Sequence, residues 1–327
     1  MRALQSGKYF LLPSSAFLLC ALAFQASAQP YPAKPVRLIV PYAAGGPVDS
    51  VGRLVAQPLS ARWGQQAIVD NRGGSGGALG TLAVVKSPAD GYTLLVGNSG
   101  PITVYPHLRK ALQYDFERDL APVSFMVKSC MVLVTHPSLP AKTVQDFVRL
   151  AKRQPGAMTY ASSGVGGVQH LGMVLLESLA AVKLVHVPYK GAAPALVDLM
   201  SGQIHAQFNN VLGSLPLVQS GRLRALGVST AAPSPVLPDV PPVAKAYPGF
   251  DVASWMGIYA PAGTPKPVVD QLSRDFAWAL NQPEVKQRLN ELGADVVAGG
   301  PPELASYARE EGRLFGKLIA RAGIPKE

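Results

Sequence analysis

The same local plan occurs twice in this chain. Val36-Arg37-Leu38-Ile39-Val40-Pro41 reads as a buried strand, passes into Tyr42-Ala43-Ala44-Gly45-Gly46-Pro47 and opens an amphipathic helix. Met158-Thr159-Tyr160-Ala161 runs into Ser162-Ser163-Gly164-Val165-Gly166-Gly167, and again a helix follows. A strand, a glycine-rich turn and a helix start leave unpaired backbone N–H groups at the positive end of a helix dipole. That geometry favours an anion. Two such turns, far apart along the chain, predict two lobes that grip one small anionic ligand.

Residues 1–28 read as a secretory signal peptide. Arg2 and Lys8 give a positive start, Tyr9 to Phe24 is mostly apolar, and Ala26-Ser27-Ala28 fits the small-x-small pattern for cleavage before Gln29. A transmembrane anchor is the competing reading, but the apolar run is short and contains Pro13, Ser14 and Ser15. Lipid attachment at Cys20 is rejected because bulky Leu19 stands where lipoprotein signals need a small residue. No later segment is long and apolar enough to span a membrane. The expected location is the periplasm.

The mature chain is large enough for a substantial core. Once Cys20 leaves, Cys130 is the only cysteine, so the fold rests on burial rather than on a disulfide. Cys130 lies in an apolar stretch and reads as an inert buried thiol. The net charge is +10, of which Arg2 and Lys8 leave with the signal. The basic residues are scattered, with no Lys/Arg cluster or interleaved aromatics, which argues against nucleic acid as a partner.

Strand and helix patterns alternate. Strands are predicted at Val36–Pro41, Ala67–Asp70, Thr93–Gly97, Cys130–Thr135, Met158–Ala161, Leu184–Pro188, Ala206–Asn209, Leu223–Ser229 and Trp255–Ala260. Helices are predicted at Val48–Trp63, Ala78–Lys86, Val144–Gln154, Val168–Ala181, Ala193–Ser201, Leu212–Ser220, Lys266–Asn281, Pro283–Leu292 and Pro302–Ala322. Short apolar strands between helices point to an α/β architecture of parallel-dominated sheets covered on both faces. Ser229 to Pro248, rich in Pro, Ala and Ser, reads as a long connection. The helices after it have no sheet of their own and must pack on the N-terminal one. The expected division is residues 29–128 plus 253–327 as one lobe and 129–252 as the other, with crossings near Phe125–Cys130 and Val252–Ile258.

Enzyme motifs fail on spacing. In Arg72-Gly73-Gly74-Ser75-Gly76-Gly77-Ala78-Leu79-Gly80, the third glycine of a dinucleotide fingerprint would fall at Leu79. No Lys-Ser or Lys-Thr ends any of these loops, which excludes a P-loop. Ala161-Ser162-Ser163-Gly164 lacks the glycine two before the serine that a nucleophile elbow needs, and Gly97-Asn98-Ser99-Gly100-Pro101 has proline where the closing glycine should be. An exported hydrolase using Ser99 or Ser163 is therefore the lesser alternative. His107, His136, His170, His186 and His205 show no metal-ligand spacing, and no metal or cofactor is expected. His170, in the first turn after the second glycine loop, could touch a ligand or serve a structural hydrogen bond.

Several segments together resemble the Bug family, substrate-binding proteins of tripartite tricarboxylate transporters. They are Tyr31-Pro32-Ala33-Lys34-Pro35 leading into Val36–Pro41, Gly45-Gly46-x-x-Asp49, and Asn71-Arg72-Gly73-Gly74-x-Gly76-Gly77. Asp90-Gly91-Tyr92-Thr93-Leu94-Leu95, His186-Val187-Pro188-Tyr189-Lys190-Gly191, Leu237-Pro238-Asp239-Val240-Pro241 and Ala260-Pro261-Ala262-Gly263-Thr264-Pro265 match as well. The resemblance implies a two-lobed, type II Venus-flytrap binding protein that closes on a small carboxylate. It implies delivery to membrane transporter subunits, or to a sensor, by a monomer without catalytic activity.

Carried over, the site residues are Tyr42, Ala43, Ala44, Gly45, Gly46 and Asp49 on one lobe and Ser162, Ser163, Gly164, Gly166, Gly167 and His170 on the other. Asn98, Ser99, Tyr189, Gly191 and Asn209 follow in rank. Two positions depart from the family pattern. Asn209 stands where an acid is usual, which predicts tolerance of a more anionic ligand or of one with a different distal group. Pro47-Val48 replaces the small residues common in the first turn and would reshape the cavity wall.

Overall fold

The computed structural model describes residues 31–321 and 323–326; the signal segment expected at 1–28 lies outside them. Val36–Val40 (β1) enters Pro47–Trp63 (α1), and Ala67–Asn71 (β2) enters Ala78–Val85 (α2). Thr93–Asn98 (β3) is followed by a π-turn at Gly100–Val104 and two short helices, Tyr105–Leu108 (α3) and Phe116–Asp119 (α4). Leu120–Thr135 (β4) leads to Val144–Arg153 (α5), Thr159–Ser162 (β5), Val168–Ala180 (α6), Val185–Pro188 (β6) and Ala192–Met200 (α7). Ala206–Asn210 (β7), Val211–Gln219 (α8), Arg224–Val228 (β8) and Ala253–Pro261 (β9) come next. The chain ends with Lys266–Leu280 (α9), Pro283–Glu291 (α10), Ala294–Gly299 (β10) and Pro301–Arg321 (α11).

The strand order is β2-β1-β3-β9-β4-β7-β5-β6, with β8 and β10 also paired to β4. Pairing of β1 with β2 and β3, and of β5 with β6 and β7, is parallel. Every pairing of β4 and β9 is antiparallel. The sheets are therefore mixed, whereas the sequence pattern predicts parallel dominance. The reason is β4, which pairs with β9 over Leu120–Cys130 and with β7 over Met131–Thr135. Its 16 residues begin well before the expected Cys130. Pro122, Ser124, Lys128 and Ser129 interrupt the apolar run there, which hides the strand from a periodicity argument. The strand β10 was also unexpected, because Ala294-Asp295-Val296-Val297-Ala298-Gly299 is short and small-residue-rich.

Local signals account for the helix starts. Pro47 occupies the first turn of α1 with Asp49 beside it, and Thr143 and Asp146 form a reciprocal capping box on α5. Helix α11 closes the chain over the sheet. Its Leu304 packs with buried Phe125, Trp255 and Tyr259, while α9 buries Leu272 and Phe276 in the main core with Val55 and Leu59 of α1. Among the described residues no helix is long and apolar enough to cross a membrane.

Buried Glu311 of α11 ties three segments together. Its carboxylate accepts from Ser99 Oγ at 3.1 Å, Thr103 Oγ1 at 2.7 Å and Trp255 Nε1 at 2.6 Å. Burial pushes its pKa up to about 7 against the pull of those donors and of Lys128. An acid that holds its proton more tightly when folded adds stability below its ordinary pKa of 4.5 and loses it as pH rises through about 7. Relative to Glu311→Gln, the wild type should lose up to about 3 kcal/mol across that window, read from urea midpoints at each pH. A pH-independent difference would contradict the assignment.

Candidate functional site

The first turn is held from behind. Gly45 has φ +82°, a left-handed conformation natural to glycine, and its N–H donates to Asp49 Oδ2 at 2.9 Å. Arg53 Nε donates to the same oxygen at 3.0 Å, and its Nη2 lies 2.9 Å from Oδ1. Burial raises the Asp49 pKa, but the bonds from Arg53, the Gly45 N–H and Asn71 outweigh it and hold the carboxyl below its usual range. Asp49 is thus a charged pin for the turn. Asn71 Nδ2 donates to the Tyr42 carbonyl at 3.1 Å, and the Tyr42 hydroxyl donates to Asn98 Oδ1 at 2.9 Å. Burial keeps that phenol protonated.

The second loop uses its own amides internally. Ser163 N–H donates to Gln169 Oε1 at 2.8 Å, Gly164 N–H to Ser162 Oγ at 3.1 Å and Gly166 N–H to His170 Nδ1 at 3.0 Å. Gly167 N–H donates to the Gly164 carbonyl at 3.2 Å. The first α6 amide with an intrahelical acceptor is Leu171, which bonds Gly167. The N–H groups of Val168, Gln169 and His170 have no protein acceptor among the described residues. The rigid loop therefore aims the helix start and leaves it open. The Ser163 hydroxyl likewise has no protein partner among the described residues.

These elements surround a small cavity of about 40 Å³. Tyr42, Ala43, Gly46, Pro47, Val48 and Asn98 line it from the first half of the chain. Met131, Ser163, Gly167, Val168, Gln169, Ala192 and Asn210 line it from β4 through β7, and Ser254 and Met256 from β9. Three helices, α1, α6 and α7, begin at this wall. No lining side chain carries a charge. Turns from the two halves of the chain approach closely: a Cβ on Gly191 would lie 3.6 Å from Ala43 Cβ, and one on Gly164 would lie 3.1 Å from Gly76 Cα.

A neutral cavity lined by helix starts and hydroxyls is built to receive an anion through dipoles and N–H groups. Residues 51–324 match the family model described as the tripartite tricarboxylate transporter family receptor. The chain belongs to this receptor family. Its fold matches the periplasmic binding protein BugD at 32% identity and TM-score 0.88, covering 91% of this chain and 100% of that one. An R. palustris protein solved with adipate matches at 35% identity and TM-score 0.88, with coverage of 91% and 100%. MatC from Rhodopseudomonas palustris, solved with bound malate, matches at 32% and 0.85, with coverage of 88% and 100%. The fold is that of a periplasmic binding protein, and the family is one of non-catalytic solute receptors.

Within this receptor, the residues singled out from sequence fall into separate places. Tyr42, Ala43, Gly46, Asn98, Ser163 and Gly167 line the cavity. Ala44 and Gly45 are exposed at its rim side, and Asp49 lies behind the turn. The Ser99 hydroxyl is buried against Glu311. Tyr189 is tied to Asp198 at 2.6 Å, and Gly191 precedes α7 with φ +144°. Asn209 is fully buried and reaches the cavity only through Gln169. Gln169, Met131, Ala192, Asn210, Ser254 and Met256 escaped the sequence reading, because no glycine or serine cluster marks them. The Gly191 left-handed turn before α7 was the available signal for Ala192.

Ser162, Gly164, Gly166 and His170 belong to the loop's support. Ser162 Oγ lies 2.6 Å from His186 Nε2, and the Tyr160, His186 and His170 rings stack, the two imidazoles 4.1 Å apart. His170 Nδ1 accepts a hydrogen bond, so the neutral ring carries its proton on Nε2. Burial pushes His170 down to about 4, and burial with the neighbouring His170 pushes His186 to about 3. Depressed histidines contribute stability above their ordinary pKa that is lost as pH falls through those values. In a ¹H NMR titration, the His170 and His186 ring protons should still report neutral imidazoles at pH 5. Midpoints near 6.5 for both would contradict the buried stack.

Proposed function

We propose that the cavity captures a small organic carboxylate between two lobes, residues 29–128 plus 253–327 and residues 129–252, and presents it to the transporter's membrane subunits. The single observation that carries this reading is the neutral lining crossed by the starts of α1, α6 and α7. A ligand carboxylate there meets the free N–H groups of Val168 and Gln169 and the unpartnered Ser163 hydroxyl. On the facing wall it meets the amides around Gly46 and Val48. Each helix start contributes about 0.3–2 kcal/mol toward a negative charge. The relatives solved with adipate and malate support the ligand class.

The apolar part of the lining, Pro47, Val48, Met131, Val168 and Met256, suits a hydrocarbon spacer between polar ends. Both cavity walls come from one chain, so the site needs no residue from a second copy. Strands β4 and β9 connect the two lobes and are the hinge. A ligand that touches both walls stabilises the closed arrangement by its differential affinity for it. Export to the periplasm by the 1–28 segment places the cavity where the ligand arrives.

Titration calorimetry and thermal shift should detect binding of adipate, malate or hexanoate, and none of the neutral 1,6-hexanediol. Ser163→Ala should weaken the carboxylate that binds by about tenfold, with the ligand-free melting temperature unchanged. Equal affinity for the diol, or no effect of Ser163→Ala, would contradict this reading.

A further inference from the structure

Gln169 lines the cavity yet is 5% exposed, and both ends of its amide are engaged. Its Oε1 accepts the Ser163 N–H at 2.8 Å, and its Nε2 donates to Asn209 Oδ1 at 2.8 Å. Asn209 in turn donates from Nδ2 to Ser214 Oγ at 2.9 Å, and Asn209 and Ser214 are fully buried. The relay has one direction. Turning the Gln169 amide over would set its NH₂ against the Ser163 N–H, a loss that no neighbour relieves, even where Asn209 turned with it. An amide NH₂ carries two hydrogens, and Asn209 engages one of them. The other belongs to a side chain on the cavity wall, beside the Ser163 hydroxyl and the free N–H groups of Val168 and Gln169 itself.

We infer that Gln169 is a specificity-determining residue that donates its remaining amide hydrogen to the ligand carboxylate, in an orientation set by the Ser163 N–H and supported by Asn209. The inference rests on the reading of the cavity as a carboxylate site and adds the side chain that discriminates there. Asn209 is a positioning residue: it never reaches the ligand, and acts by presenting an acceptor to Gln169. The relay also explains why a polar residue is useful at position 169. A side chain serving only to fill space would leave the Ser163 N–H without an acceptor and the wall without a side-chain donor.

The test uses the full mature receptor with adipate, and with malate and hexanoate in parallel, by titration calorimetry from pH 6 to 8. Gln169→Glu keeps an acceptor for the Ser163 N–H and lets Asn209 reverse its amide, with Ser214 donating in turn. It replaces the ligand-facing donor by an acceptor that regains an O–H only when protonated. The variant should bind about 100-fold more weakly at pH 8 and recover affinity as pH falls, while the wild type stays flat. Asn209→Leu should lose about tenfold, and Asn209→Asp, which still accepts from Gln169, should restore the Gln169-dependent contact and bind more tightly than Asn209→Leu.

Near-wild-type affinity of Gln169→Glu at pH 8, or a pH-independent loss, would overturn the inference while wild-type binding leaves the carboxylate reading standing. Asn209→Asp no better than Asn209→Leu would overturn the positioning role. A wild type that binds none of the three carboxylates overturns both readings.

Discussion

The first amides of an α-helix have no partner inside the helix, and this receptor directs such ends at one neutral cavity. Everything else in the structure serves that convergence. Strands β1 and β5 set the positions of α1 and α6, and glycine turns let each helix begin within reach of the facing wall. The absence of a charged side chain from the lining means that an arriving negative charge is balanced by dipoles held in place by the fold. Dipoles of this kind need no reorganisation, and the apolar lining decides which carboxylate spacers fit.

Fixing those amides requires that the surrounding polar groups be satisfied elsewhere. Asp49 with Arg53 anchors the α1 turn, and the loop from Ser162 to Gly167 closes its own hydrogen bonds through Ser162, Gln169 and His170. Beneath that loop, the stacked Tyr160, His186 and His170 rings form a rigid, uncharged support. On the opposite side, Glu311 fastens Ser99, next to cavity-lining Asn98, and Trp255, between cavity-lining Ser254 and Met256. Residues that look like ligands by type therefore act one layer behind the wall.

Much of this was legible in the sequence, and the limits have physical reasons. Pro47 in a first turn, Asp49 behind it and the serine-glycine run before Val168 announce helix starts, because their chemistry is local. The run of strands and helices was readable for the same reason. Strand β4 was legible only from Cys130 onward, since Pro122, Ser124 and Lys128 break the apolar pattern of a strand held by pairing with β9. Strand β10 is recognisable only by its pairing to β4. Gln169 and Asn210 depend on long-range hydrogen bonds, to Asn209 and Ser129, which no local spacing encodes. The division of labour between Ser162 and Ser163 is equally invisible in sequence, because it is decided by where His186 arrives.

The most direct measurement is a crystal structure of the receptor with the carboxylate that binds best in the adipate, malate and hexanoate series. The account predicts carboxylate oxygens at about 3 Å from the Val168 or Gln169 backbone nitrogens and from Ser163 Oγ, directly or through one water. It also predicts that no lysine or arginine touches the ligand. A carboxylate seated on a cationic side chain, or bound outside the cavity between α1, α6 and α7, would contradict it.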